Sequence, residues 1–113
     1  MSDRQRAWAF LAAAITCEIL ATVSLGSTEQ FSRPLPTVAV LLGYATSFAC
    51  LAEALRSLPV SLAYALWSGI GTATVAVIGM TFLGEESSAI KVLGLTLIIA
   101  GVVILNLRQP APE

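Results

Sequence analysis

The sequence predicts an all-α membrane protein, a single four-helix transmembrane domain spanning residues 1–113. Three observations carry that reading. The chain is 57% hydrophobic and only 12% charged, with a mean hydropathy of +0.85, against about 25% charged residues in an average soluble domain. Its apolar residues gather into four runs, about 7–26, 35–55, 60–83 and 89–107, each near the ~20 residues that cross ~30 Å of hydrocarbon as a helix. Between the runs lie only short polar or turn-forming segments, which leave no length for a soluble domain or an extended binding loop.

Each element has a local justification. Arg4 and Arg6 precede the first run, but the run is too long for a cleaved leader and is interrupted by Glu18, so we expect it to remain as the first helix. Thr28-Glu29-Gln30-Phe31-Ser32-Arg33-Pro34 breaks the first run from the second, and Pro34 and Pro36 favour a helix start near Leu35. Arg56-Ser57-Leu58-Pro59 is so short that the second and third helices should form a tight antiparallel hairpin. Gly84 ends the third run and Ser88 is placed to cap the fourth. The tail Arg108-Gln109-Pro110-Ala111-Pro112-Glu113 is expected to be disordered.

Charge and residue type then exclude several function classes. With four spans, Arg4, Arg6, Arg56 and Arg108 fall on one side and Arg33 and Lys91 on the other. This bias is too weak to choose an orientation, and insertion both ways stays open. The chain has no histidine; Cys17 and Cys50 lie inside predicted spans, where small apolar packing is their usual role. There is no metal-ligand cluster, no phosphate-binding glycine loop and no basic patch for nucleic acid. We expect no enzyme and no cofactor.

Glu18 is the residue that needs explaining. An ionised carboxylate at mid-bilayer costs about 2.5–3.5 kcal/mol on insertion scales, and no Lys, Arg or His lies near it in sequence. Its charge must be managed by a proton, a bound cation or a distant partner. Ala14, Ala21 and Thr22 share its helical face, so the side chain has mostly small neighbours and room beside it for something bulky. The alternative is a structural acid that hydrogen-bonds another helix.

A second cluster stands on the third helix, in Ala63-Tyr64-Ala65-Leu66-Trp67-Ser68-Gly69-Ile70-Gly71. Tyr64, Trp67, Ser68 and Gly71 share one face at i, i+3, i+4 and i+7. Trp67 lies well inside the span rather than in the interfacial belt, and aromatic faces attract desolvated organic cations. Tyr44 and Phe48, i and i+4 on the second helix, extend such a lining, although Phe48 serves equally well as core packing. Gly69 and Gly71 are read as a hinge in the third helix, with close packing as the equal alternative. Glu53 is expected to pair with Arg56 at i, i+3. On the fourth helix Gly94 and Gly101 flank Leu97 and Ile98, a small-residue face that allows close helix approach. Since four helices make a thin bundle around a buried acid, a homo-oligomer, at least a dimer, is the expected state.

Taken in order, Glu18, Phe31-Ser32-Arg33 with Pro36, Tyr44, the 63–71 segment, Gly94-Leu95-Thr96-Leu97-Ile98-Ile99-Ala100-Gly101-Val102 and Asn106 resemble the small multidrug resistance family over nearly the whole chain. The resemblance implies an antiparallel, dual-topology homodimer in the bacterial cytoplasmic (inner) membrane that exchanges protons for small organic cations. It implies that Glu18 of both subunits binds proton and substrate in exclusive turns, that Tyr44, Tyr64, Trp67 and Ser68 bind substrate, and that Ala14, Thr22 and Phe48 line the pocket. The dimer contact would run through Gly94, Leu97, Ile98 and Gly101. Members exporting guanidinium-type metabolites tend to carry a Trp shortly after the first-helix Glu and a Thr after the third-helix Trp. Here those positions resemble Ala21 or Thr22 and Ser68, so the likeness is to the branch exporting quaternary ammonium and other lipophilic cations. Guanidinium or polyamine export by the same fold is the alternative. The chain departs from the family at Gly26, where a Lys is usual, and at Glu53, where a neutral residue is usual. The first departure leaves open pairing with a paralogous subunit.

Overall fold

In the computed structural model, which describes residues 2–108, four helices account for most of the chain: α1 (Asp3–Val23), α2 (Pro34–Ala54), α3 (Val60–Phe82) and α4 (Ala89–Leu107). All four are long and apolar enough to cross a membrane. No strand occurs among the described residues. The expected disorder of the tail beyond Arg108 falls outside them.

The helix ends follow from identifiable caps. Ser2 Oγ accepts from the Gln5 amide at 3.1 Å while Gln5 Oε1 accepts from the Ser2 amide at 3.0 Å, a reciprocal capping box that satisfies two otherwise unpaired donors. This cap starts α1 at Asp3, before the apolar run expected from residue 7. Arg4 and Arg6 therefore sit on the first turns of the helix, their guanidinium groups 5.9 and 5.8 Å from the rings of Trp8 and Phe10. At the other end α1 stops at Val23 rather than 26, and Leu25–Thr28 tightens into a 3-10 turn.

The segment that follows takes an unusual path, with Glu29, Gln30 and Phe31 all at positive φ (48°, 63° and 68°). Left-handed backbone costs non-glycine residues roughly 1–2 kcal/mol each. Thr28, 1% exposed, offsets part of that cost: its hydroxyl donates to the Leu25 carbonyl at 2.8 Å and accepts from the Phe31 amide at 3.2 Å. Pro34 then opens α2, where its missing N–H costs nothing.

The Glu53–Arg56 pair forms at 3.3 Å in the α2–α3 connection. Gly84, at φ 74°, ends α3 in a left-handed turn that favours glycine, and the amides of Leu83 and Glu85 both donate to the Gly79 carbonyl. Ser88 caps α4 by accepting from the Lys91 amide at 3.1 Å.

The packing order is α2–α1–α3–α4. α1 lies against both α2 and α3, whereas among the described residues α4 touches α3 alone, giving a flat assembly of 46 × 36 × 18 Å. The core joins Ala7, Leu11 and Ala14 of α1 to Leu51 and Ala54 of α2 and to Leu58, Leu62, Ala63 and Leu66 around the start of α3. Four of these nine are alanines, and small residues let membrane helices approach closely where the hydrophobic effect supplies no drive between them. α4 contributes no buried residue. The core thus anchors α1 and α3 side by side, which brings Glu18 against the middle of α3.

Candidate functional site

Glu18, half-buried on α1, is held from one side only. The Thr22 hydroxyl, one turn along the same helix, donates to Oε1 at 3.1 Å and lies 2.7 Å from the Tyr44 hydroxyl of α2. Because the threonine proton points to the carboxylate, the phenol is the donor to Thr22. The result is a chain of two hydroxyls directed at the acid.

Oε2 faces the other way and is buried with no hydrogen-bond partner among the described residues. It lies over Gly71 of α3, where an added Cβ would stand 2.7 Å from Oε2 and 3.2 Å from Cδ. The glycine is therefore a required approach, the point where α3 makes room for the carboxylate. A buried carboxylate oxygen lacking a donor is costly, and a proton or a cation would satisfy it.

The aromatic cluster is fixed by a residue that sequence reasoning missed. Ser47, fully buried on α2, accepts from Trp67 Nε1 at 3.0 Å and donates to the Ala14 carbonyl at 2.6 Å. One serine thus ties the α3 indole to the α1 backbone a turn before Glu18. The signal was available, a hydroxyl residue one position from Phe48 on an apolar helix, but its partners are 20 and 33 residues away in sequence. Phe48 packs against Trp67 with ring centroids 5.2 Å apart and planes tilted by 50°, and Tyr64 stacks on it at 5.8 Å and 28°. Tyr64 and Phe48 remain 56% and 55% exposed, so the outer faces of the cluster are uncovered by this chain.

The remaining candidates are placed as follows. Ser68 donates to the Tyr64 carbonyl at 2.8 Å within its own helix, which leaves only its oxygen lone pairs for a ligand. Ala14 is completely buried and supplies its carbonyl to Ser47 rather than an open wall. Gly69 and Gly71 lie in the unbroken helix α3; a Cβ at Gly69 would meet Val102 Cγ2 of α4 at 2.6 Å. Both glycines sit at close approaches between helices. On α4, Gly94 and Gly101 have no atom of another element within 4 Å of a built Cβ, and Leu97 is 63% exposed. Ile98 is turned partly toward Gly69. The structure brings Glu18, Thr22, Tyr44, Gly71, Ser47 and Trp67 together; it leaves the α4 stripe apart from them.

Comparison with known proteins gives the chain its relatives. A family profile described as Small Multidrug Resistance protein matches residues 6–98. The chain is 54% identical to the multidrug resistance protein mmr of Mycolicibacterium paratuberculosis over 99 residues, covering 87% of this chain and 92% of that one. It is 46% identical to the nicotine metabolites export pump subunit NepA of Paenarthrobacter nicotinovorans over 101 residues, 89% of this chain and 87% of NepA. With subunit NepB of the same organism it shares 45% identity over 104 residues, 92% of this chain and 63% of NepB.

Proposed function

Because the chain belongs to the Small Multidrug Resistance family and is a multi-pass protein of the bacterial inner membrane, we propose that it exports hydrophobic organic cations, such as quaternary ammonium compounds, in exchange for protons. The observation that carries this reading is the buried, unpartnered Oε2 of Glu18, and we assign the Tyr64–Trp67–Phe48 cluster as the other wall of its site.

Such a site favours two occupants that cannot coexist on one carboxylate. A proton on Glu18 neutralises the acid and removes the cost of its burial. An organic cation neutralises it by ion pairing while its alkyl or aryl groups meet the indole and phenol faces. Binding of the cation to a protonated site therefore releases the proton, and protonation from the opposite side displaces the cation. The Tyr44–Thr22 hydroxyl chain orients the carboxylate through the exchange, and Ser47 holds the Trp67 ring. No covalent step is involved.

We assign the working unit to an antiparallel homodimer that presents two Glu18 side chains to one chamber, joined through Gly94, Leu97, Ile98 and Gly101. The exposure of this stripe supports the assignment. A heterodimer with a paralogous chain is the second reading, favoured by relatives named as export pump subunits NepA and NepB and by Gly26 in place of the usual Lys.

Solid-supported-membrane electrophysiology on the purified protein tests the function, with guanidinium compared against a quaternary ammonium ion across pH. Quaternary ammonium-driven currents that vanish in Glu18→Gln are expected. Retained transport by Glu18→Gln overturns the exchange mechanism, a guanidinium-only response moves the chain to the other substrate branch, and current only on co-expression with a paralogue establishes the heterodimer.

A further inference from the structure

α3 and α4 meet at one level and part at another. Gly69 lies against Val102 and Ile98, but from Ala73 onward the two helices separate toward their connection, leaving a cleft of about 700 Å³ lined by Ala73, Val77 and Met80 on α3 and Leu95, Thr96 and Ile99 on α4. α4 touches no other helix among the described residues, so nothing else in the chain fills it.

We propose that this cleft is a binding groove for one acyl chain of a zwitterionic membrane phospholipid. The lining carries no charge, and its hydroxyls are two, Thr74 and Thr96, of which Thr96 is already donated to the Val92 carbonyl of its own helix, so the wall an occupant meets is mostly apolar. Along α4 the lining runs from Val92 to Ala100, a rise of ~12 Å at 1.5 Å per residue, close to one leaflet of a ~30 Å hydrocarbon core. Left unfilled, the walls would forfeit their dispersion contacts.

Gly79 and Lys91, each next in sequence to a lining residue, Met80 and Val92, bring chemistry that matches a headgroup to this end of the groove. Glu85 folds over Gly79, its carboxylate 2.6 Å from where a Cβ would stand, and meets Lys91 Nζ at 3.5 Å. The same ammonium donates to the Glu86 carbonyl at 2.9 Å. The paired carboxylate of Glu85 and ammonium of Lys91 suit a headgroup bearing both a phosphate, for Lys91, and an ammonium, for Glu85. A purely anionic headgroup would meet the Glu85 carboxylate with no cation of its own to offer it.

Other occupants fit less well. A transported cation finds neither an acid nor an aromatic face in the lining. A second copy docked through Gly94 and Gly101 would approach from roughly the opposite side of α4, since those glycines and the Leu95–Thr96–Ile99 face diverge on the helical wheel. The groove is thus independent of the transport site and of its proposed dimer stripe.

The test uses the full chain in bilayers containing phosphatidylethanolamine and phosphatidylglycerol with chain-labelled nitroxide lipids. Electron spin resonance should show a motionally restricted lipid per protomer that favours phosphatidylethanolamine by about fivefold, the scale of a single interfacial charge. That component should disappear in Ala73→Leu/Ala100→Leu, which fills the groove, and persist in Ala45→Leu/Ala49→Leu, an equal enlargement at exposed positions of α2. In the unaltered chain, the nitroxide should broaden the methyl signals of Val77 and Ile99 at least as strongly as those of lipid-facing Ile104. An unchanged restricted fraction in the double variant, selective protection of Val77 and Ile99, or release of the restricted lipid by a quaternary ammonium probe would each overturn the proposal.

Discussion

Gly71 and Glu18 occupy each other's space: the carboxylate oxygen Oε2 stands 2.7 Å from the point where a side chain at residue 71 would begin. The acid and the glycine form a single fitted contact between α1 and α3, and a change at one must be answered at the other.

Gly71→Ala should therefore displace the carboxylate rather than unfold the protein. The methyl enters space held by the end of a flexible side chain, so helicity by circular dichroism should be unchanged. Affinity for a quaternary ammonium ligand should fall by about tenfold or more, equivalent to ~1.4 kcal/mol. Calorimetric titration checks this; wild-type affinity would show that the carboxylate binds from another position.

The two hydroxyls leading to Glu18 should act in series. Thr22→Val removes the direct bond to Oε1 and isolates Tyr44, whereas Tyr44→Phe removes only the outer link. Thr22→Val should weaken cation-driven proton release more than Tyr44→Phe, and Tyr44→Phe should add little in the Thr22→Val background. A double-mutant cycle on proton release measures the coupling; full additivity would mean that the two groups act independently.

Ser47→Ala should leave both the Trp67 N–H and the cluster geometry unsupported. Intramembrane hydrogen bonds average about 0.6 kcal/mol, with a maximum near 1.7. A loss of ~1 kcal/mol in unfolding free energy is expected, together with a changed Trp67 fluorescence spectrum. Trp67→Phe, which keeps an aromatic face but no donor, should alter cation selectivity with the fold intact. An unchanged substrate profile would return Trp67 to a packing role.

Gly69→Ala presses a methyl to within 2.6 Å of Val102, and overpacking of this kind costs about 1–3 kcal/mol. Val102→Ala should restore stability in the same chain. Thermal unfolding in detergent decides the matter, since failure of the second change to rescue the first would place the strain elsewhere.

What the sequence made legible was what hydropathy and local chemistry encode. The spans, the Ser88 cap, the Gly84 stop and the Glu53–Arg56 pair all depend on residues a few positions apart. The start of α1 was missed because Ser2 and Gln5 are polar and lie outside the apolar run, although their capping box begins the helix. Ser47 was missed because its meaning lies in partners on two other helices. At Gly71 the sequence left a hinge and a close-packing contact equally open, since no local pattern discloses that a carboxylate from α1 lies over it. Helical spacing put Tyr64, Trp67 and Gly71 on one face correctly, but only packing shows what that face meets.

Among the described residues α4 is attached through α3 alone, which bears on how such a chain can evolve. Among the described residues, none of the groups holding Glu18 or Trp67 comes from α4. Mutations along most of its outer surface can accumulate without disturbing the acid or its aromatic wall. After a gene duplication, two descendants of such a chain could diverge in whom they associate with while inheriting the same ligand chemistry unchanged.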